Sequence, residues 1–246
     1  MIDETYTARD HEFRENDDYA KAKYDITLRW LSAKSGVRRR LVNVGCGAGL
    51  FNGFAHASGF DVEACEPDPG AHAIAERSAP AGTKVHLGGL FDAPLSGIAD
   101  VVVMHDVLEH IEDEGRAVEQ LAALVAPGGR LVISVPAMPS LFGLHDERLG
   151  HYRRYSKRTL RAALESHFRI ERMRYFGFVF IPVTFWFSRF RRKPYPTGTA
   201  TGPSLVGRMF RLVCSIEARV PMPLGTSLIC EAVPKDEPSR TNRIEQ

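Results

Sequence analysis

A short apolar strand that runs into a glycine-rich turn constrains the fold of this chain more than any other segment. The sequence from Val42 to Leu50 reads VNVGCGAGL, so three glycines alternate with other residues directly after the apolar run. Glycine lets the backbone approach a ligand closely, and a helix that starts there presents free N–H groups to it. The pattern therefore predicts a strand–turn–helix unit that holds a ligand at the carboxyl end of a parallel sheet.

The spacing of these glycines separates two classes of nucleotide loop. The dinucleotide fingerprint is GxGxxG, which would place its third glycine at the position of Leu50. The spacing in this chain is GxGxG, over Gly45, Gly47 and Gly49. This difference counts against a nicotinamide dinucleotide as the ligand.

Apolar, β-rich runs alternate with helical segments along the chain, which favours an α/β domain with a parallel sheet. Strands are predicted at 41–44, 60–65, 83–87, 100–105 and 130–135, and helices at 18–34, 49–57, 69–78, 112–125 and 157–166. Pro127-Gly128-Gly129 is expected to break the chain before the fifth strand. Two further strand candidates, 168–175 and 227–233, enclose an aromatic and amphipathic segment.

An acidic residue at the end of the second predicted strand fits the glycine turn. Glu66 follows Gly45 by 21 residues and precedes Pro67 and Asp68. An acid at about this offset can accept hydrogen bonds from both ribose hydroxyls of an adenosyl ligand. We therefore interpret Glu66 as a ribose ligand. The competing interpretation is that Glu66 only caps the helix that follows Asp68.

Two more segments complete a recognisable set. Asp100 to His110 reads DVVVMHDVLEH, and Gly128 to Ser134 reads GGRLVIS. Together with the glycine turn and Glu66, they resemble class I S-adenosylmethionine-dependent methyltransferases of the small-molecule type 11 and type 23-like branch, over about residues 38–160. The resemblance implies a Rossmann-like, doubly wound α/β fold. Its mostly parallel sheet would end in an antiparallel strand preceded by a helical insertion.

The resemblance also implies S-adenosylmethionine as the cofactor. In the family, the glycine loop holds the methionine end, the acid after strand two holds the ribose, and residues after strand three flank the adenine. The implied cofactor-binding residues of this chain are Asn43, Gly45, Cys46, Gly47, Gly49, Glu66, Pro67, Leu90, Phe91, Met104 and His105. Asn43 departs from the family pattern, which usually has Asp or Glu at that position.

Methyl transfer needs an aligned nucleophile and, for a hydroxyl or ammonium acceptor, commonly a base. The candidate catalytic residues follow predicted strands four and five and are His105, Asp106, His110, His151 and Arg154. Asp106, Glu109 and His110 would share one face if their turn is helical. This trio has two open interpretations, a base in a substrate pocket or a divalent metal site.

The metal interpretation depends on a second resemblance. The trio is similar to the ExxEH segment of ubiquinone-pathway O-methyltransferases and of small-RNA 2′-O-methyltransferases, with Asp106 in place of the first Glu. In the RNA enzymes a later histidine completes the segment, and His151 occupies a comparable place. Mg²⁺ would fit two carboxylates and waters. The alternative is that the segment only packs and forms hydrogen bonds, as in many small-molecule methyltransferases.

The segment Gly150–Ser156, GHYRRYS, follows the fifth strand on the edge where α/β sheets bind ligands. His151 and Arg154 are predicted to orient or neutralise an anionic acceptor, because Arg suits carboxylate and phosphate recognition. The alternative is a solvated basic helix start with Ser156 as its N-cap. For His145, a local hydrogen bond and a catalytic role are equally open.

These segments divide the chain into four parts. We expect a helical lid over 1–37, a methyltransferase core over 38–176 and 225–234, a hydrophobic helical insertion over 177–224 and a flexible tail over 235–246. The alternative for the lid is a simple surface helix. The insertion is expected to cover a greasy substrate, to rest on a membrane surface, or to pack on the sheet or a second copy.

The net charge of +2 is a sum of unlike regions. Residues 1–18 carry −5 and 19–150 carry −4, whereas 151–193 carry +10 and 194–246 carry +1. The predicted function is methyl transfer to an oxygen or nitrogen of a small or medium-sized acceptor, anionic or hydrophobic. RNA 2′-O-methylation and a non-catalytic adenosyl-binding module are the alternatives. DNA bases are disfavoured because the strand-four end lacks the Asn/Asp-Pro-Pro-aromatic run of those enzymes.

Cysteine spacing and hydropathy limit the cellular compartments in which we expect this protein. The four cysteines make no CxxC pair, so neither a zinc cluster nor a disulfide framework is predicted. The start of the chain lacks a secretory signal pattern, and the longest aromatic-apolar stretch is about 13 residues where a membrane span needs about 20. We expect a cytoplasmic protein, with peripheral membrane contact through the insertion as an alternative setting.

Overall fold

The fold follows from a computed structural model that describes residues 17–31, 39–188 and 205–235. Its strands are β1 (Arg39–Val44), β2 (Phe60–Glu66), β3 (Lys84–Leu87), β4 (Ala99–His105), β5 (Val125–Pro136), β6 (Phe168–Phe176) and β7 (Ser227–Pro234). Its helices are α1 (Asp18–Leu31), α2 (Leu50–Ala57), α3 (Pro69–Ser78), α4 (Glu114–Leu124), α5 (Leu144–Leu149), α6 (Lys157–Leu164), α7 (Ile181–Trp186) and α8 (Leu205–Arg219). Short 3₁₀ turns lie at Leu108–His110, Pro139–Leu141 and Phe178–Phe180. The predicted tail beyond Lys235 and most of the predicted lid before α1 lie outside the described residues.

The seven strands form one sheet in the order β3-β2-β1-β4-β5-β7-β6. Strands β1 to β5 are parallel, and β7 runs antiparallel between β5 and β6. The predicted doubly wound, mostly parallel α/β sheet with a final antiparallel strand is therefore confirmed. The strand order reverses between β1 and β4, so their carboxyl ends flank the crevice where open α/β sheets bind ligands.

Helices cover both faces of the sheet because the central strands are apolar on both sides. On one face, Val102 and Met104 of β4 pack in a cluster with α4 and α6. On the other, Val101 and Val103 pack in a cluster with α1, α2 and α8. The described part of the chain contains no helix that is both long and apolar enough to span a bilayer.

Side-chain caps fix where the helices begin. Asp68 accepts the N–H of Ala71 at the start of α3 (2.7 Å). Ser156 accepts the N–H of Thr159 at the start of α6 (3.1 Å), so it is an N-cap, as the alternative interpretation of the GHYRRYS segment had it. These caps place the polar segments before α3 and α6 at the carboxyl edge of the sheet.

The fifth strand differs from its prediction. It was expected to begin at Arg130 after a break at Pro127-Gly128-Gly129, but β5 already begins at Val125, which pairs with Ala99. The residues between Val125 and Arg130 form an irregular bulge in the ladder. A Cβ at Gly129 would come within 2.9 Å of the Asp100 carbonyl oxygen, so glycine allows the strands to stay paired there.

Candidate functional site

The glycine turn between β1 and α2 needs its glycines for backbone shape and for space. Gly45, Gly47 and Gly49 have φ angles of 69°, 55° and 83°, in the left-handed region that other residues rarely adopt. A Cβ at Gly45 would collide with the side chain of Val107, which follows β4. A Cβ at Gly49 would lie 3.0 Å from Ala75 of α3. The turn therefore packs tightly against both neighbours at the crevice.

Glu66 ties this turn to the end of β2. Its side chain is buried, its Oε2 accepts the N–H of Gly47 (2.7 Å), and its Oε1 accepts the N–H of Asp68 (3.0 Å). A carboxylate has about four lone-pair sites, so hydroxyl donors can still bind. The cap of α3 is Asp68, not Glu66. The capping interpretation of Glu66 is thus unnecessary, and its carboxylate lies beside the glycine turn.

Asn43 and Cys46 support the turn from inside the protein. The Asn43 side chain donates to Oδ1 of Asn52 in α2 (2.8 Å), and both residues are buried. Burial raises the pKa of the Cys46 thiol to about 12, so the thiol stays protonated. The side chain of Asn43 thus contacts α2, at a position where the family usually carries an acid.

The turn after β3 brings apolar and acidic groups to the same edge. Leu90 is buried, whereas Phe91 is exposed and lies under the guanidinium of Arg116, 4.4 Å from the ring centroid. The sequence did not single out Asp92, which is exposed and accepts the N–H of Gly89 (2.7 Å). Pro67 lies next to this turn. A ring and a carboxylate are therefore both available near the end of β3.

His105 ends β4 in a closed environment, directly after the buried Met104. Its Nδ1 lies 3.1 Å from the Ser134 hydroxyl and its Nε2 lies 3.4 Å from the Thr27 hydroxyl. Burial and the charge of Lys23 lower the pKa of His105 to about 3, so the ring is neutral at physiological pH. A group with this pKa is a weak base.

Helix α1 lies across this end of the sheet. Tyr24 packs against the rings of His105 and Phe51, with centroids 5.2 and 5.1 Å apart. Thr27 approaches the same histidine, and Lys23 forms an ion pair with Asp106. Helix α1, which lies within the predicted N-terminal lid, therefore contacts the end of β4 and packs against α2.

Asp106 has an unusual backbone conformation, and its side chain is held by Ser134 and Lys23. Its φ of 54° is uncommon for a residue other than glycine. Its N–H donates to the Ser134 carbonyl (2.8 Å), and its Oδ1 accepts the Ser134 hydroxyl (3.1 Å). Burial opposes ionisation, but the Lys23 ammonium outweighs it and lowers the pKa of Asp106 to about 2. Asp106 is therefore an ionised partner of α1.

Glu109, His110 and His151 form a compact group of donor atoms. One atom of each lies within 4.8 Å of the others, and His151 Nε2 is 4.0 Å from Glu109 Oε1. Glu109 is completely buried, and among residues 17–31, 39–188 and 205–235 neither carboxylate oxygen has a hydrogen-bond partner. Burial, followed by the charge of Asp106, raises the pKa of Glu109 well above its usual value. A buried carboxyl without a partner is costly, so the arrangement favours a ligand between these residues.

Asp146 holds His151 in place. Its Oδ1 lies 2.9 Å from His151 Nδ1 and accepts from Arg154 Nε at 2.7 Å. Arg154 also donates to the carbonyl of Ala137 (3.3 Å) and is buried. Burial opposes ionisation of Asp146, but the hydrogen bond with His151 and the charge of Arg154 lower its pKa. This leaves His151 Nε2 directed towards Glu109.

The predicted catalytic residues thus fall into two groups. His110 and His151 lie together with Glu109, while His105 and Asp106 lie under α1. The predicted Asp106, Glu109 and His110 trio does not share a helical face, because the 3₁₀ turn begins only at Leu108. His145 is buried in α5, beside this region.

Several functional partners were not predicted from the sequence. Lys23, Ser134 and Asp146 make contacts that fix Asp106, His105 and His151, and only Ser134 lies in a segment quoted above, where no contact was predicted for it. Asp146 lies on α5 and His151 lies beyond the end of that helix, five residues later, so no helical i,i+3 or i,i+4 spacing indicates the pair. Lys23 is separated from its partner by 83 residues, and no local pattern indicates it.

Comparison with known proteins gives a consistent picture. A family model described as a methyltransferase domain matches residues 9–167. An uncharacterized methyltransferase of Mycolicibacterium gilvum is 32% identical over 133 residues, covering 53% of this chain and 52% of the relative. The ubiquinone biosynthesis O-methyltransferase of Nitrobacter winogradskyi is 30% identical over 123 residues, covering 48% and 45%. The chain spans about half the length of the curated relatives it matches.

Solved structures share the fold. A Haloferax volcanii putative methyltransferase, solved with the Trm112 methyltransferase activator, is similar with a TM-score of 0.60, 16% identity and coverage of 95% and 96% of the two chains. Magnesium protoporphyrin IX methyltransferase from Synechocystis, solved with bound SAH, has a TM-score of 0.58 and 19% identity, with coverage of 88% and 84%. At these identities the likeness concerns the fold alone.

Proposed function

The chain belongs to the methyltransferase domain family, and on that premise we propose that it transfers the methyl group of S-adenosylmethionine to an oxygen or nitrogen of a small or medium-sized acceptor. The observation that carries the acceptor half of this proposal is the buried carboxyl of Glu109, which has no hydrogen-bond partner among the described residues and lies beside two histidines. It follows β4, next to the strand that leads into the glycine turn.

The residues around the glycine turn fit the cofactor. Glu66 offers acceptor sites for the ribose hydroxyls, and Leu90 with the exposed ring of Phe91 offers apolar surface for the adenine. Gly45 and Gly49 let the turn pack against Val107 and Ala75, which would hold its backbone at the crevice where the ligand binds. Asn43, Cys46 and Met104, which are buried, would support this binding site from below.

The side chains near the proposed acceptor differ in whether they can act as a base. Transfer breaks the bond from the methyl carbon to sulfur and forms a bond to the acceptor atom, with the electron pair passing to sulfur. A hydroxyl or ammonium acceptor must also lose its proton. His105 is a weak base with a pKa of about 3, and Asp106 is engaged by Lys23. We therefore assign these two residues to positioning, and the acceptor to the neighbourhood of His110 and His151.

A divalent ion is the form of this proposal that best accounts for Glu109. One carboxylate and two imidazoles are a donor set suited to Zn²⁺ or Mn²⁺, whereas Mg²⁺ prefers oxygen ligands. Glu109, His110 and His151 would hold the ion, and when bound it would lower the pKa of an acceptor hydroxyl. We therefore propose a Zn²⁺-like ion in preference to the Mg²⁺ that the sequence suggested.

The chain's own residues would then have separate tasks. Asp146 accepts from Nδ1 of His151, which leaves Nε2 as the ligand atom. Arg154 fixes Asp146, so we propose that it positions the histidine instead of binding the acceptor. Lys23 and Asp106 would hold α1 over the end of β4, which would shield His105 from water.

The proposal is tested with the full chain, purified and then dialysed against a chelator. Metal content is measured first, and Zn²⁺ and Mn²⁺ are added back while thermal unfolding is followed. We expect one ion to raise the melting temperature of the wild type and to leave that of His110→Ala unchanged. Transfer from labelled S-adenosylmethionine to phenols, carboxylates, amines and RNA is then measured with and without the ion.

Each outcome decides between the open functions. Full turnover in the chelator, with a loss of about 10²–10⁴-fold in His110→Ala, would replace the metal with an imidazole base. Labelled RNA would establish the RNA alternative. Binding of S-adenosylhomocysteine without transfer to any acceptor would favour a non-catalytic module, and absence of that binding would contradict the cofactor assignment.

A further inference from the structure

Helix α8 carries an apolar stripe on its outer face, in addition to the face that it packs against the protein. Its inner residues Cys214 and Ala218 belong to the buried cluster shared with α1. Its outer residues Leu205, Met209, Leu212 and Ile216 follow helical spacing and are 50–73% exposed. A contiguous exposed apolar stripe of this kind marks an interaction site.

The charge exposed on α8 has a single sign. Its one acidic residue, Glu217, is buried and accepts the backbone N–H groups of Gly177, Phe178 and Val179 at 2.8, 2.9 and 3.0 Å. The arginines of the helix, Arg208, Arg211 and Arg219, are exposed. Helix α8 itself therefore exposes only positive charge beside the stripe, and one of its arginines, Arg211, lies 3.9 Å from Asp18 of α1.

Neighbouring segments extend both properties. Glu217 connects α8 to the start of the segment that continues into α7, where Val183 is half exposed. The sequence between α7 and α8 adds Arg189, Arg191, Arg192 and Lys193. Apolar surface and basic charge thus occur together in this part of the chain.

We propose that α8 docks this protein on an anionic membrane surface, with the Leu205–Ile216 stripe in the acyl boundary and its arginines at the headgroups. An apolar face bordered by Lys and Arg is the arrangement by which a helix lies in a membrane interface. Anionic headgroups supply the countercharge that the exposed face of α8 lacks. The docked helix packs directly on α1, which covers the candidate site.

A second copy of the chain fits this surface less well. A two-fold contact through the stripe would bring arginines of one α8 against those of the other, because the acid of the helix is buried. Such like-charge contacts oppose association. The charge pattern therefore selects a membrane over a dimer.

The test is co-sedimentation of the full chain with phosphatidylcholine vesicles, with and without phosphatidylglycerol. We expect binding to the anionic vesicles only, and a weakening of about 10-fold or more for Leu212→Glu, since an acid then enters the apolar stripe. Arg208→Gln removes a positive charge without adding an acid to the stripe, and it should also weaken binding to anionic vesicles. The matched control is Ile98→Glu, which adds the same charge at an equally exposed apolar position before β4.

Far-UV circular dichroism and binding of S-adenosylhomocysteine are measured on every variant, and we expect both to match the wild type. The proposal is overturned if the wild type does not bind anionic vesicles, or if Leu212→Glu and Ile98→Glu bind equally well. It is also overturned if ultracentrifugation shows a dimer that Leu212→Glu dissociates. Because cofactor binding is measured separately, a failure here is distinguishable from a failure of the proposed methyl transfer.

Discussion

Glu66 and Glu109 are two buried glutamates that follow strands on either side of β1, yet their surroundings are opposite. Glu66 accepts two backbone N–H groups, from Gly47 and Asp68. Glu109 is completely buried, and neither of its oxygens has a hydrogen-bond partner in the part of the chain that the structure describes. The first carboxylate is part of the folded scaffold, whereas the second costs free energy until a ligand binds. The comparison separates a site built by backbone hydrogen bonds from one completed by its ligand.

The largest effect is expected for Glu66→Ala on cofactor affinity. Loss of hydrogen bonds between a carboxylate and two ribose hydroxyls should weaken S-adenosylhomocysteine binding by about 100-fold. Calorimetric titration measures this directly. Asp68→Ala is the matched control, because it removes the α3 cap and about 1 kcal/mol of stability but should bind nearly as the wild type does. Equal affinity of Glu66→Ala and wild type would end the ribose assignment.

Replacement of Glu109 tests the other side of the comparison. Glu109→Met removes a buried carboxyl that lies 4.0 Å from His151 Nε2 and has no hydrogen-bond partner among the described residues, so the metal-free protein should gain about 1–3 kcal/mol in its free energy of unfolding. Glu66→Met should lose stability, since its two backbone donors lose their acceptor. Urea unfolding of both variants after chelation gives the two signs. A loss of stability in both would mean that Glu109 has a structural partner after all.

The smallest effect is expected for a third glutamate, Glu63, and concerns how the stability of the protein depends on pH. Burial opposes ionisation of Glu63, but hydrogen bonds from Ser96, Arg40 and His86 lower its pKa to about 2. As the pH falls, Glu63 therefore binds a proton in the unfolded chain before it does so in the folded one. The stability that the ionised Glu63 contributes is present above about pH 5 and is lost towards pH 2. Glu63→Gln should flatten that part of the wild-type profile. Acid unfolding monitored by fluorescence measures it, and identical profiles would contradict a stabilising role of the Glu63 carboxylate.

Local features of the site could be predicted from the sequence, because they depend on residues close in the chain. The turn after β1 needs glycine at positive φ, and Asp68 and Ser156 cap the helices that start beside them. The sheet could also be predicted from the sequence, because its strands are apolar runs of ordinary length. The bulge before Arg130 was missed because Pro and Gly usually end a strand, and here they only distort one.

Long-range pairings account for what could not be predicted. Lys23 contacts Asp106 because the fold places α1 over the end of β4. Asp106 is therefore paired with Lys23 and does not belong to the group of Glu109, His110 and His151, although its spacing in the sequence had suggested a trio with Glu109 and His110. Arg154 was expected to face an acceptor, and it is instead bonded to Asp146, which lies eight residues away. That original prediction of acceptor binding stays untested. In each case the partner, and not the residue type, decides what the side chain can do.

The hydrogen bond between Gly177 and Glu217 also bears on how such chains vary in length. It joins residues 40 apart and so holds the start of the segment after β6 against the C-terminal half of α8. Each doubling of a flexible loop costs only about 0.6 kcal/mol in closure entropy. Insertions or deletions inside this segment are therefore inexpensive as long as its two anchors remain. A family built on this fold can lengthen or shorten that segment between relatives while the β6–β7 pairing and the edge of the sheet stay the same.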